Sequence, residues 1–133
     1  MTKLRAGWTI GLAFCSAMLA VQMAGAQMPL PSAKPPDGAT LFKQQCATCH
    51  TTNSSDPVRQ GPSLHKIAGR AAGKADGFKY SPALAKAEFA WDDTKLDAWL
   101  ANPQELVPGS VMVYRQAKPE TRALIIAYLK ELH

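Results

Sequence analysis

Cysteine is scarce, with three residues in a chain of 133, too few for a disulfide-stapled scaffold. Internal repeats are missing, and the 9 glycines and 10 prolines follow no period, which excludes collagen-like and solenoid chains. Period-two alternation is nearly absent, so strands are not expected. Runs of like charge are also missing. The 15 basic and 10 acidic residues are scattered and sum to +5; setting Lys3 and Arg5 aside leaves +3. A nucleic-acid-binding chain carries a denser basic patch, so nucleic acid is not an expected partner. Charged residues at 19% and apolar residues at 47% exclude a disordered chain and fit one soluble globular domain.

What is present begins with an address. Lys3 and Arg5 form a positive lead, Ala6 to Val21 carries no charge around an apolar run at Ile10–Phe14, and Ala24-Gly25-Ala26 supplies a cleavage pattern. This order predicts a signal peptide over residues 1–26, with Gln27 as the first mature residue. The alternative is an uncleaved anchor, because no charge appears before Lys34. A lipoprotein signal through Cys15 is disfavoured by Phe14, where a small residue is required. Export predicts a periplasmic, oxidising compartment. Cleavage leaves 107 residues, a core small enough that a cofactor would act as a staple.

Residues 27–36 are rich in proline and predict a flexible lead-in to a domain over 37–133. Asp37 is placed to cap a helix from Gly38 to about Thr48. Thr51 to Gly61 predicts a loop, Leu64 to Ala72 a short helix, and Gly73 to Tyr80 another loop. Ser81-Pro82 opens a short helix through about Ala87. Asp92 or Asp93 caps a helix over Thr94–Ala101, stopped by Asn102-Pro103. Pro108-Gly109 makes a turn, and Pro119 and Glu120 open a last helix containing Leu124, Ile126 and Leu129. The fold class expected is all-α, with three main helices, short helices and long loops. Long loops in so small a domain need a large apolar ligand to pack on.

Cys46-Ala47-Thr48-Cys49-His50 is C-x-x-C-H, the haem c attachment pattern. Two thiols three residues apart on a helical turn point to one side, where they can join the two vinyl groups of one porphyrin. His50 is then carried beneath the iron. A zinc site needs four ligands, and no second cysteine pair exists. A thioredoxin-like pair needs a strand–helix context that is not visible, and a plain disulfide leaves His50 unexplained. For the sixth iron position, Met112 stands in Val107-Pro108-Gly109-Ser110-Val111-Met112, a turn whose small residues let backbone approach a ring. Met28 lies in the lead-in. His65 or His133 offers a bis-histidine alternative.

With these residues in place, Gly38 to Leu132 resembles a class I cytochrome c of the short mitochondrial and bacterial periplasmic type. The resemblance implies a monohaem cytochrome c fold around one covalent haem c held through Cys46 and Cys49, with His50 and Met112 as metal ligands. Gly61-Pro62-Ser63-Leu64-His65 resembles the segment whose proline carbonyl orients the proximal histidine, here Pro62 on His50. Tyr80 and Trp91 match positions that bond the inner propionate, Arg70 matches the nearby cation, and Ser110 is a further candidate donor. Gly38 and Phe42 match the crossing of the first and last helices, opposite Tyr128. Trp99 stands where many relatives carry a tyrosine near the methionine sulfur, and Leu84 replaces a polar residue, making a drier pocket. The lysine ring around the exposed haem edge is thin: Gln45, Gln104, Glu105 and Val111 occupy positions often held by lysines or a small polar residue. Arg59, Lys43 and Lys118 retain part of it.

The function implied is a soluble periplasmic carrier of single electrons, not an enzyme. It is expected to be a monomer serving redox partners such as a membrane cytochrome complex, an oxidase, a reductase or a dehydrogenase. Alternatives are a membrane-tethered electron-transfer subunit of a dehydrogenase or oxidase, and a ligand-binding haem enzyme or sensor.

Overall fold

The computed structural model describes residues 34–132. The signal segment, its cleavage point, Met28 and His133 lie outside these residues. The last three residues of the lead-in, Lys34 to Pro36, are exposed and without regular structure.

Five helices follow in order: α1 (Gly38–Gln45), α2 (Pro82–Ala85), α3 (Asp93–Ala101), α4 (Pro103–Leu106) and α5 (Pro119–Lys130). Side-chain oxygens cap the first three. The Asp37 carboxylate accepts from Thr40 N at 2.8 Å, the Ser81 hydroxyl from Leu84 N at 3.3 Å and the Asp92 carboxylate from Lys95 N at 2.7 Å. Each bond satisfies a backbone donor that the first helical turn leaves unpaired. Among the described residues no strand forms, in agreement with the all-α expectation.

α5 packs across α1, and α3 packs on α4 and α5. At the first crossing Gly38 permits contact no other residue would allow: a Cβ there would lie 2.3 Å from Leu124 O and 2.8 Å from Tyr128 Cβ. One turn on, the Phe42 and Tyr128 rings meet at 5.5 Å between centroids. Ile125, fully buried, and Leu129 carry this crossing into the core with Leu41, Leu96 and Leu100.

Three local expectations are corrected. α1 ends at Gln45 rather than Thr48, because Ala47 N reaches back five residues to Phe42 O and Cys49 N only three to Cys46 O. The helix thus gives way to turns that carry Cys49 and His50. Leu64 to Ala72 is not a helix. Lys66 and Gly69 take positive φ values of 51° and 79°, which a right-handed helix cannot contain. Its amides bond outward instead: Lys66 N to Leu132 O at 2.9 Å, Gly69 N to Trp91 O at 2.8 Å and Ala72 N to Phe89 O at 2.8 Å, around an isolated antiparallel bridge between Ala71 and Ala90. Asn102-Pro103 does stop α3, but Pro103 also opens α4, where a missing N–H is harmless at the first helical position.

Candidate cofactor site

The turns after α1 bring three chemically active side chains to one cavity of about 270 Å³. Cys46 and Cys49 are both half-buried free thiols. Burial, with Cys49 close by, pushes the Cys46 thiol up to about 11. Cys49 Sγ donates to Gln60 Oε1 at 3.2 Å.

His50 is oriented by the loop that follows it. Gly61 N bonds to Cys49 O and Leu64 N to Thr51 O, both at 2.8 Å, which folds Gly61-Pro62 over the imidazole. The approach is so close that a Cβ on Gly61 would stand 2.2 Å from His50 Cε1. His50 Nδ1 lies 2.8 Å from Pro62 O. A carbonyl oxygen only accepts, so Nδ1 carries the proton and Nε2 keeps its lone pair. Burial lowers the imidazole pKa, partly opposed by the Pro62 bond, so the neutral, metal-ligating form is favoured.

Met112 reaches the same cavity from the long connection between α4 and α5. Trp99 Nε1–H donates to Met112 Sδ at 3.0 Å. Trp99 meets Trp91 edge-on at 5.3 Å, giving the cavity an aromatic wall, and Phe89 backs Trp91 from behind at 5.0 Å. Leu84, Leu96, Leu100, Ile125 and Leu129 complete an apolar lining.

One corner is polar. Arg70 lines the cavity and donates to His65 O at 3.0 Å and Ser63 O at 2.9 Å. Burial draws its guanidinium below the ordinary value, while Tyr80 and Asp76 act in the opposite direction. The Tyr80 hydroxyl, also at the cavity, accepts from Ala75 N at 3.2 Å.

Of the residues expected from the sequence, Cys46, Cys49, His50, Pro62, Arg70, Tyr80, Trp91, Trp99 and Met112 share this lining. Ser110 does not. It is buried beside α4, where its hydroxyl donates to Pro103 O at 3.4 Å and accepts from Gln104 Nε2 at 3.0 Å. His65, the bis-histidine alternative, is also absent from the lining.

Two residues expected at an exposed edge are used internally. Gln104 bonds to Ser110 O, Ser110 Oγ and Met112 O. Gln45 accepts from Tyr114 and Gln116. Tyr114 was missed altogether, although Met112, Tyr114 and Gln116 stand two apart in a stretch without helical spacing, and that pattern could have revealed it.

Residues 36–133 match the family described as Cytochrome c. A protein named Cytochrome c from Theileria annulata is 44% identical over 103 residues, covering 77% of this chain and 89% of its own length. Proteins of the same name from Ulva intestinalis and Kluyveromyces lactis are 40% and 39% identical, covering 76% and 77% of this chain and 92% and 96% of their own lengths.

Proposed function

This chain belongs to the cytochrome c family, and on that premise we propose that it is an exported single-electron carrier with its iron held between His50 and Met112. Haem electron transfer and one covalent haem c, attached through Cys46 and Cys49, follow from the family.

The residues fit such a group by their chemistry. Two free thiols, an imidazole with a free Nε2 and a thioether face one apolar cavity, and Arg70 with Tyr80 provides a polar corner suited to carboxylates. That convergence is the observation that carries the proposal. When bound, the haem supplies an iron that alternates between ferrous and ferric states.

The chain does the rest. Pro62 holds His50 in one tautomer and raises its basicity as a ligand. Met112 provides a soft sulfur that favours the reduced state and raises the potential. Trp99 withdraws density from that sulfur. Leu84, Leu96, Leu100 and the aromatic wall keep water out, which further disfavours the more highly charged ferric form. With His50 and Met112 both holding the iron, no substrate would have access to the metal, and the site would support electron exchange alone.

Export is supported by the order of Lys3 and Arg5, the uncharged stretch and Ala24-Gly25-Ala26. No helix among the described residues is long and apolar enough to cross a membrane. The partners proposed are redox proteins of the same compartment, such as a membrane cytochrome complex, an oxidase, a reductase or a dehydrogenase.

The test is to purify the exported protein from a host that matures c-type cytochromes, then combine redox titration with spectroscopy. A weak near-infrared sulfur-to-iron band is expected in the oxidised protein, with no carbon monoxide shift in the reduced one. Met112→Ala should abolish the band and lower the potential. An unchanged spectrum and potential would remove Met112 from the iron, and a colourless protein would remove the haem. Recovery in the periplasmic fraction with Gln27 at the N-terminus supports export; retention in membranes argues for a tethered form.

A further inference from the structure

Residues 111–117 have neither helix nor strand, and the first four of them, Val111 to Tyr114, line one side of the cavity. Their side chains alternate. Met112, Tyr114 and Gln116 are half-buried, while Val111 and Val113 are 74% and 84% exposed and Arg115 is also exposed.

Two side-chain amides grip this segment. Gln104 Nε2 donates to Ser110 O and, at 3.4 Å, to Met112 O, and its Oε1 accepts from Gly109 N at 3.3 Å. On the other side Gln45 Oε1 accepts both from the Tyr114 hydroxyl and from Gln116 Nε2, the latter at 3.1 Å. Gln116 is itself anchored: its N–H bonds to Leu100 O at 2.8 Å, its carbonyl accepts from Arg122 Nη1 at 3.0 Å and its Oε1 from Lys118 N at 3.1 Å.

Gln45 immediately precedes Cys46, and Tyr114 follows Met112 by two residues. The cluster therefore joins the thiol turn to the thioether segment over sequence separations of 69 and 71 residues. A lysine at position 45 could not accept these two hydrogen bonds, because an ammonium has donors and no acceptor. The Gln116 Nε2–H can only donate and needs an acceptor there, and the Tyr114 hydroxyl, which already accepts from Gln116 Nε2 at 3.4 Å, uses the same acceptor for its own proton.

We propose that Gln45, Tyr114 and Gln116 form a latch that holds the Met112 segment closed over the cavity and sets how readily an outside ligand displaces the Met112 sulfur, a role that rests on Met112 as the iron ligand. These are positioning residues and touch no iron. Displacement requires the segment to open locally. Breaking a hydrogen bond that exists only in the closed form raises the open population about tenfold, equivalent to about 1.4 kcal/mol.

The experiment uses oxidised holoprotein, with imidazole as the probe and loss of the sulfur-to-iron band as the signal. Tyr114→Phe keeps the ring and removes only the hydroxyl; Gln45→Leu breaks the latch from the other side. Each is expected to bind imidazole about tenfold faster than the parent, and the double variant no faster than Gln45→Leu alone, because both remove one shared interaction. Amide hydrogen exchange should quicken over residues 112–117 and stay unchanged at Leu41 and Ile125. An imidazole rate unchanged in both variants overturns the latch and leaves the axial assignment standing, as does exchange that quickens equally in α1 and α5. A parent protein without the band overturns the axial assignment and the latch together.

Discussion

The indole N–H of Trp99 points at the Met112 sulfur from 3.0 Å. It is a neutral donor on an otherwise apolar wall, with Leu84 and Leu100 also lining the cavity. A donor on the sulfur opposes its donation to a metal and so favours the reduced state. Trp99→Phe should therefore lower the potential by on the order of 40 mV, the one-electron equivalent of about 1 kcal/mol for one hydrogen bond. Redox titration checks the shift, and an unchanged or raised potential would show that the indole does not tune the sulfur.

Gly61 is pressed against His50 so closely that a methyl group would overlap the ring. Gly61→Ala should displace the imidazole or the Pro62 carbonyl and destabilise the holoprotein by about 1–3 kcal/mol, the usual range for overpacking. Thermal unfolding measures the loss, and a change in the ferric spectrum would show that His50 itself has moved.

The α1–α5 crossing makes the same demand at Gly38, here against backbone. A Cβ would meet Leu124 O at 2.3 Å, and a carbonyl in the middle of a helix cannot turn aside as a side chain can. Gly38→Ala should lower stability by about 1–3 kcal/mol or more, read from denaturant unfolding, with little effect on the visible spectrum.

Much of this is legible in the sequence because the chemistry is local. Asp37, Ser81 and Asp92 each cap a backbone N–H three residues ahead, and such pairs can be read along a line of text. The C-x-x-C-H pattern is equally local. Leu64–Ala72 misled because its apolar residues suit a helix, while its amides are claimed by Trp91, Phe89 and Leu132, partners the local pattern does not reveal. Gln45 and Gln104 misled for a related reason. As single polar residues they read as exposed, and only distant Tyr114, Gln116 and Ser110 give them internal work.

The Asp37 carboxylate is held below the ordinary range by its bonds to Thr40. A depressed folded-state pKa contributes stability that is present above the unfolded value and lost as pH falls through the folded one. Asp37→Ala should thus melt lower than the parent at neutral pH, and the gap should narrow as pH falls through the folded-state value. Melting curves across that range provide the check.

Around the mouth, Val111 and Val113 are exposed, and Gln45 and Gln104 turn inward. Exposed Arg115, Lys43, Arg59 and Lys118 leave a thinner basic ring than a full set of lysines, so electron-transfer rates with a physiological partner should depend on salt less than those of mitochondrial cytochromes c. Charge-steered docking falls steeply between low and moderate salt. Stopped-flow rates at graded ionic strength decide the matter, and a decline as steep as theirs would contradict it.

The strip from Val111 to Ala117 divides its positions by parity. Even-numbered residues are half-buried, and odd-numbered ones are exposed to whatever molecule comes near. Inner and outer roles therefore share one short stretch of chain, and they meet at Val111 and Val113, which are exposed and also line the cavity. An exchange at 115 can change the company this protein keeps while its colour and its appetite for electrons stay as they are; exchanges at 111 and 113 touch both.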